Sequence, residues 1–406
     1  MKKDVMLIVN YWHFEQEKAS SRYRTFANIL CEKYDLEVVT STFCHLTKKQ
    51  REVQTLSLDK LPYKMTLQYE KGYKKNIGFD RISSYKQFGK NVKKYLETRK
   101  KPDLIIVSVP SLRVADEVTK YANKNNIPVI VDIQDLWPEA FKMALSIPII
   151  SDILFYPMKK QADRIYSRAD KIMAVSDTYV VRGLKCNKKD SKGLSIYIGS
   201  DSELIKQKTA NIEIDKPNNE FWIGYVGALG HSYDIESVIK AIKILNNEGI
   251  ENIKFLVMGE GVLKEHFKQV AIENEVNVDF TGLLEYGTMM KTLMACDVAV
   301  NPIIGKSVSS IINKVADYSA AGVPVINTQN SLEYRKLLED NNAGLSVENG
   351  NIFALAEAIK ALYTDDLLRK TMSENSTKMY DKYFDRQKSY PRLIDEIEKL
   401  LENEKE

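Results

Sequence analysis

Twelve short apolar runs, continuous in valine, isoleucine and leucine in the first half, punctuate this chain, with longer helical patterns between them. In the first half they cover residues 4–10, 36–41, 103–109, 128–134, 171–176 and 194–199. In the second half they cover 221–227, 253–259, 278–282, 297–303, 323–327 and 343–348. A strand that is apolar on both sides must be covered on both sides, the condition of a parallel sheet with helices on either face. Segments 20–34, 113–126, 235–249 and 352–365 supply such helices. The expected fold class is therefore α/β, with doubly wound sheets. The alternation stops once, over the polar residues 202–219, and then restarts. With 406 residues, too many for one core, the reading is two domains, 1–201 and 220–385, joined by a linker over 202–219. Residues 386–406 form a final amphipathic helix. Two such domains face each other across a cleft, and open α/β sheets bind ligands beyond the carboxyl ends of their strands.

Composition excludes several function classes. Cys31, Cys44, Cys186 and Cys296 are scattered without a C-x-x-C pair, which argues against a disulfide scaffold or zinc site and for a reducing compartment. His13, His45, His231 and His266 form no spaced metal motif, and neither H-E-x-x-H nor G-x-S-x-G occurs. The first apolar run is too short for a signal peptide, and no stretch is long enough for a transmembrane helix. A net charge of +4 gives nucleic-acid binding little support, and no nucleic-acid partner is expected. The charge is unevenly placed, however. Residues 60–101 hold thirteen lysines and arginines against Glu70, Asp80 and Glu97, interleaved with tyrosine and phenylalanine. Such a stretch suits an anionic membrane surface or, alternatively, is a solvated loop and helix.

Candidate site residues lie where strands end. Gly227 and Ala228 follow one run, and Gly259, Glu260 and Gly261 follow the next. Glycine there lets backbone N–H groups approach a phosphate, although tight turns explain it equally well. Residues 309–327 read SSIINKVADYSAAGVPVIN, a helix running into a buried strand. The helix is expected to open near Ser309–Ile311, capped by Ser309 or Ser310. Lys314 then lies near its first turn, with Asp317 about 300° round on the same face. A cation and a carboxylate so placed suit the phosphates and ribose of a nucleotide; the alternative is an i,i+3 surface salt bridge. In the first half, VDIQDLWPEAF places Gln134, Asp135, Trp137 and Glu139 just beyond a strand, where Asp135 is either a reactive group or a helix cap. Arg22 and Arg24, at the start of a helix, suit an anionic acceptor or form a solvated helix end.

The order of these segments resembles the GT-B glycosyltransferases, specifically retaining family 4 and its bacterial surface-polysaccharide branch, which includes N-acetylfucosamine transferases. VDIQDLWPEAF is similar to the branch's E-V-R-D-L-W-P-E-S, and ADKIMAVSDTY to A-D-x-I-x-x-x-S. YIGSD stands where P-N-G-V-D is usual. GYVGALGHSYDIESVI resembles Y-x-G-N-x-G-x-x-Q-x-L-x-x-V-I, VMGEGVLKEHFK resembles V-G-D-G-x-x-x-x-x-L, and INKVADYSAAGVPVI resembles P-S-K-x-x-E-Y-M-A-A-G-K-P-V-I. The resemblance implies a GT-B architecture of two Rossmann-like doubly wound domains, acceptor-binding then nucleotide-sugar-binding, with the last helix crossing back to the first.

It further implies transfer of a sugar from a nucleoside diphosphate, with retention, without cofactor or metal. Lys314 and helix amides would stabilise the departing diphosphate, Asp317 would take the ribose, and Leu283 and Leu284 would face the base. Ser310 and Ile311 would line the donor. The sugar-side glutamate of the family falls on Ser309 and its loop arginine on Ala228, so Lys314 must carry more of the phosphate charge. Asp135 would orient the acceptor or take its proton late in the reaction, with Arg22, Arg24, Gln134 and Trp137 around it. The expected acceptor is a saccharide or polyprenyl-diphosphate-linked saccharide, reached from the cytoplasm at the inner face of the membrane. A sugar-nucleotide 2-epimerase of the same architecture, or a non-catalytic nucleotide-sugar-binding subunit, is the alternative.

Overall fold

The computed structural model describes residues 2–17, 21–76, 78–143, 148–304 and 311–402. The chain divides into two compact units, Met1–Ile196 with Tyr390–Glu406, and Tyr197–Ser389.

The first unit is built on seven parallel strands: β1 (Asp4–Ile8), β2 (Asp35–Ser41), β3 (Lys64–Gln68), β4 (Leu104–Val109), β5 (Val129–Ile133), β6 (Lys171–Ala174) and β7 (Leu194–Ser195), in the order β3-β2-β1-β4-β5-β6-β7. Every residue of β4 and β5 is buried, as the two-sided apolar runs require. Strand β3 was not expected. It lies inside the basic stretch and pairs with β2 at the sheet edge, where exposed Lys64 and half-buried Thr66 and Gln68 replace a continuous apolar run. Its Lys64 amine meets the Glu37 carboxylate at 3.0 Å, and Arg99 reaches the same group at 3.1 Å. Part of the basic stretch therefore serves a buried acid inside the fold. The final helix, Arg392–Glu402, completes this unit: Leu393, Ile397 and Leu401 enter its core, and Tyr390 lies 4.4 Å from the Phe26 ring.

The second unit carries β8 (Phe221–Val226), β9 (Ile253–Met258), β10 (Val278–Phe280), β11 (Val298–Asn301), β12 (Val325–Asn327) and β13 (Gly344–Ser346), in the order β10-β9-β8-β11-β12-β13 and all parallel. This is the strand order of a mononucleotide-binding pair, with its switch point between β8 and β11.

The expected linker over residues 202–219 opens instead with a helix, Ser202–Thr209. The Asp201 carboxylate caps it by accepting from the Glu203 and Leu204 N–H groups at 3.1 Å, and Ile205 is buried in the core of the second unit. One cap and one apolar anchor are too little signal to mark a helix in a polar run. The expected tail helix is also divided: Arg386–Ser389 ends with the second unit, and the chain resumes as a helix only after Pro391.

Candidate functional site

In the second unit the residues beyond the strand ends converge on the switch point. Strands β8 and β11 pair only at Ile223–Val298 and Gly224–Ala299. Beyond that the fully buried Tyr318 bridges them, its hydroxyl donating to the Val300 carbonyl at 3.1 Å and accepting from the Val226 N–H at 3.2 Å. Tyr318 belongs to α1, the name used here for the helix Lys314–Ala320.

Helix α1 starts later than expected, and Asn313 at its cap makes no side-chain capping bond. The β-branched pair Ile311–Ile312 resists helix, and Ile311 is buried as an anchor in the core. Ile311 is thus a packing residue rather than an exposed wall. Ser309 and Ser310 lie outside the described residues.

Lys314 and Asp317 do not pair with each other. The Lys314 amine extends to the loop after β8. It donates to the Tyr225 hydroxyl at 3.2 Å and stands 4.4 Å from the Tyr225 ring centre and 3.9 Å from that of Tyr233. Among the described residues no carboxylate partners it, and burial drives its pKa down to about 7. A Cβ on Gly227, whose φ is +144°, would lie 2.4 Å from that amine. Asp317 accepts from the Tyr286 hydroxyl at 3.0 Å; burial raises its pKa to about 6, against the pull of that bond and of Arg386. The surface salt bridge is therefore replaced by two partly buried charges with separate tyrosine partners.

The glycines answer to packing. Gly227 N–H donates to the Met258 carbonyl and Leu229 N–H to the Glu260 carbonyl, at 3.0 and 2.9 Å, so these two amides pair the loops with each other and do not point to a ligand. A Cβ on Gly259 would lie 1.8 Å from the Gly227 carbonyl oxygen, and one on Gly261 2.2 Å from that of Leu229. We expect Gly259→Ala to cost about 1–3 kcal/mol in thermal or urea unfolding. Gly230→Ala, with nothing within 4 Å of its Cβ, should stay within about 0.5 kcal/mol. Glu260 is held by an ion pair to Lys264, and both lie beside Gly282. Ala228 is exposed, Leu283 is 81% exposed at the loop after β10, and Leu284 packs partly on the core.

In the first unit, Asp135 follows β5. Gln134 leads into it, with its N–H on the Val109 carbonyl at 2.8 Å. The Asp135 carboxylate accepts from the Trp137 indole at 3.1 Å; burial raises its pKa, and that bond lowers it. Trp137 is buried beneath the Arg81 guanidinium, 4.8 Å away, and Arg81 also donates to the Tyr85 and Tyr11 hydroxyls at 2.6 and 2.8 Å. His45 and Tyr73 adjoin this cluster; burial and then Lys48 lower the His45 pKa to about 4, so it is neutral at pH 7. Glu139 is tied to Arg182.

Arg22 is neither a solvated helix end nor open to an acceptor. It is 5% exposed and pairs with Asp132, which is fully buried, at 3.4 Å; Tyr23 donates to the same carboxylate at 2.8 Å. Arg24 is partly buried beside it, its N–H on the Ser21 hydroxyl at 3.4 Å. Sequence reasoning missed Tyr225, Tyr233, Tyr286 and Arg81. Each has a partner tens of residues away, Lys314 for Tyr225 and Tyr233, Asp317 for Tyr286 and Tyr11 for Arg81.

Residues 206–379 match the family model for glycosyl transferases group 1. The chain shares its fold with the UDP complex of HepE from Anabaena, with a TM-score of 0.67 and 12% identity over 98% of this chain and 100% of that one. In sequence it is 27% identical over 180 residues to the capsular polysaccharide biosynthesis glycosyltransferase CapM of Staphylococcus aureus, covering 42% of this chain and 44% of that protein. It is also 27% identical over 195 residues to a Campylobacter jejuni enzyme named N-acetylgalactosamine-N,N'-diacetylbacillosaminyl-diphospho-undecaprenol 4-alpha-N-acetylgalactosaminyltransferase, covering 48% and 50%. The chain thus spans about half the length of these curated relatives. Among the described residues no helix is long and apolar enough to cross a membrane.

Proposed function

We propose that this chain is a hexosyltransferase of retaining family 4. It would move a sugar, with retention and without a metal, from a nucleoside diphosphate to a saccharide acceptor carried on a lipid, in assembly of a bacterial surface polysaccharide. The donor is a UDP-linked N-acetylated or deoxy sugar, and the work is done at the cytoplasmic face of the membrane. The observation that carries this reading is Lys314: a desolvated amine with no carboxylate partner among the described residues, beside Gly227 at the switch point. A cation kept there costs stability unless an anion arrives to complete it. A diphosphate is that anion, and the fold shared with a UDP complex supports the choice. In this reading Lys314 takes the charge that develops on the leaving diphosphate, Asp317 accepts from ribose hydroxyls, and Leu283 with Leu284 borders the base. The first unit receives the acceptor. There Asp135, oriented by Trp137, draws the proton of the attacking hydroxyl.

Labelled UDP-sugars incubated with a polyprenyl-diphosphate-linked acceptor, and without it, test the proposal. Transfer should require the acceptor and survive EDTA. Interconversion of the donor without acceptor would make the chain an epimerase; nucleotide binding with neither reaction would make it a non-catalytic subunit. Asp135→Asn should lower turnover by roughly a hundredfold or more with donor affinity kept. Full activity with about 1 kcal/mol lost in unfolding would make Asp135 a helix cap only.

A further inference from the structure

Two cations of the first unit share one aromatic ring beyond the carboxyl ends of its strands. Tyr11 follows β1, His45 follows β2, Tyr73 follows β3, and Arg81 stands in the first turn of the helix Phe79–Thr98. Arg81 uses three of its five N–H groups within the protein: it donates to the Tyr85 and Tyr11 hydroxyls at 2.6 and 2.8 Å and to the Asn76 carbonyl. Its guanidinium lies 4.8 Å from the Trp137 ring centre and 5.5 Å from that of Tyr73. Lys48 comes to the same Tyr73 ring from another loop, 4.9 Å from its centre, and donates to Nδ1 of His45 at 3.1 Å. Tyr73, Tyr85 and Trp137 are buried, so the two cations stand on a closed aromatic floor.

Among the described residues neither cation forms an ion pair with a carboxylate. Glu70, 1% exposed, is occupied by the Ser84 hydroxyl at 2.7 Å and the Asn10 amide at 3.3 Å. Asp135 takes its bond from the Trp137 indole. Burial, and then the charge of Arg81, lowers the Lys48 pKa, as expected of two like charges without an acid between them. Single unpaired lysines are ordinary on a surface. Two unpaired cations on one ring, at the edge where open α/β sheets bind ligands, are completed by an anion. The cluster also shares Trp137 with Asp135: the guanidinium covers the ring, and the indole N–H holds the carboxylate.

We propose that the acceptor sugar bears its own acidic group, a carboxylate or phosphate on the ring that is attacked, and that Arg81 and Lys48 bind this group while Asp135 meets the reacting hydroxyl. The inference rests on the reading that the first unit receives the acceptor, and it names the chemistry that the site selects. The two remaining N–H groups of Arg81 lie in one plane on its two terminal nitrogens, which suits a pair of carboxylate or phosphate oxygens. Lys48 adds a point charge. Because Trp137 ties the guanidinium to Asp135, an anion held at Arg81 also fixes which hydroxyl of the sugar faces the carboxylate.

Titration of the full chain, without donor, tests this with the phenyl glycosides of glucuronic and galacturonic acid, their methyl esters, glucose 1-phosphate, N-acetylglucosamine 1-phosphate and the two free sugars. At least one acidic sugar should bind about tenfold or more tighter than its neutral counterpart. A preferred uronide puts the acid on the sugar ring, and a preferred 1-phosphate puts it at the bond to a carrier. Arg81→Met should bring the acidic sugar down to the affinity of the neutral one, with neutral-sugar and UDP affinities unchanged; a purely structural arginine would lower all of them alike. Lys48→Met, on a half-buried loop residue, should cost about threefold or more for the acidic sugar alone, and it carries the test if Arg81→Met does not fold. Equal binding of acidic and neutral sugars, a preference that both variants retain, or inorganic phosphate binding as tightly as any acidic sugar overturns the proposal. Transfer assays separate the two readings. Transfer from UDP-sugars to neutral acceptors with no advantage for acidic ones sinks this proposal and leaves the transferase standing. Arg81-dependent binding of an acidic sugar, in a chain that transfers to no acceptor, sinks the transferase reading and leaves the anion site standing.

Discussion

Lys314→Met should weaken binding of a UDP-sugar roughly ten- to a hundredfold, about 1–3 kcal/mol, the loss expected when one charged partner of a phosphate is removed. Isothermal titration at pH 6.5 measures it, and unchanged affinity would remove Lys314 from the donor site. The pH profile sharpens the test. The amine has a pKa of about 7 in the free protein and is protonated when it meets a diphosphate. Binding above pH 7 therefore takes up a proton, and affinity should fall toward about tenfold per pH unit. In the proposed donor site Asp317, with a pKa of about 6, loses its charge below that value and with it the better acceptor for ribose hydroxyls. Affinity should peak between about pH 6 and 7, and Lys314→Met should abolish the alkaline limb alone. The stability of the free protein runs the other way. Between pH 7 and the unfolded lysine value of 10.5 the unfolded chain binds more protons at this residue, so Lys314 lets stability rise with pH there. For Asp317 the folded state holds the extra proton between 3.8 and about 6, so its contribution to stability falls as pH rises through that window.

Arg22→Met should destabilise the first unit by about 3–5 kcal/mol, because it strands the fully buried Asp132 carboxylate with Tyr23 as its remaining donor. Burial already raises the Asp132 pKa, against Arg22 and Tyr23, and losing the guanidinium raises it further. The neutral acid needs no counter-charge, so the deficit should shrink as pH falls through that raised value. Urea unfolding at pH 7.5 and pH 5 reads both effects, and Arg22→Met/Asp132→Asn should recover much of the loss. A deficit under about 1 kcal/mol would return Arg22 to the role of a surface cation.

The α/β class was legible because parallel strands bury both faces, and burial on both faces writes itself as continuous valine, isoleucine and leucine. All twelve such runs contain strands, eleven of them shorter than the run, because an apolar residue that follows a strand into the core looks the same in sequence. Strand β3 escaped because an edge strand needs no such run, and the helix Ser202–Thr209 because its stability lies in Asp201 and Ile205. The spacing of Lys314 and Asp317 placed them on one side of a helix, but not their state. That depends on Tyr225, Tyr233 and Tyr286, brought in from other strand ends, and on burial that no local pattern encodes. The same holds for Arg22, whose partner is 110 residues away. Periodicity is a property of neighbours along the chain, and the sequence by itself determined what periodicity controls: the strands, the helices and their order. Desolvation is a property of neighbours in space, and it was left to the tertiary structure to decide which charges are paired, which glycines are packing and which apolar side chains remain in water.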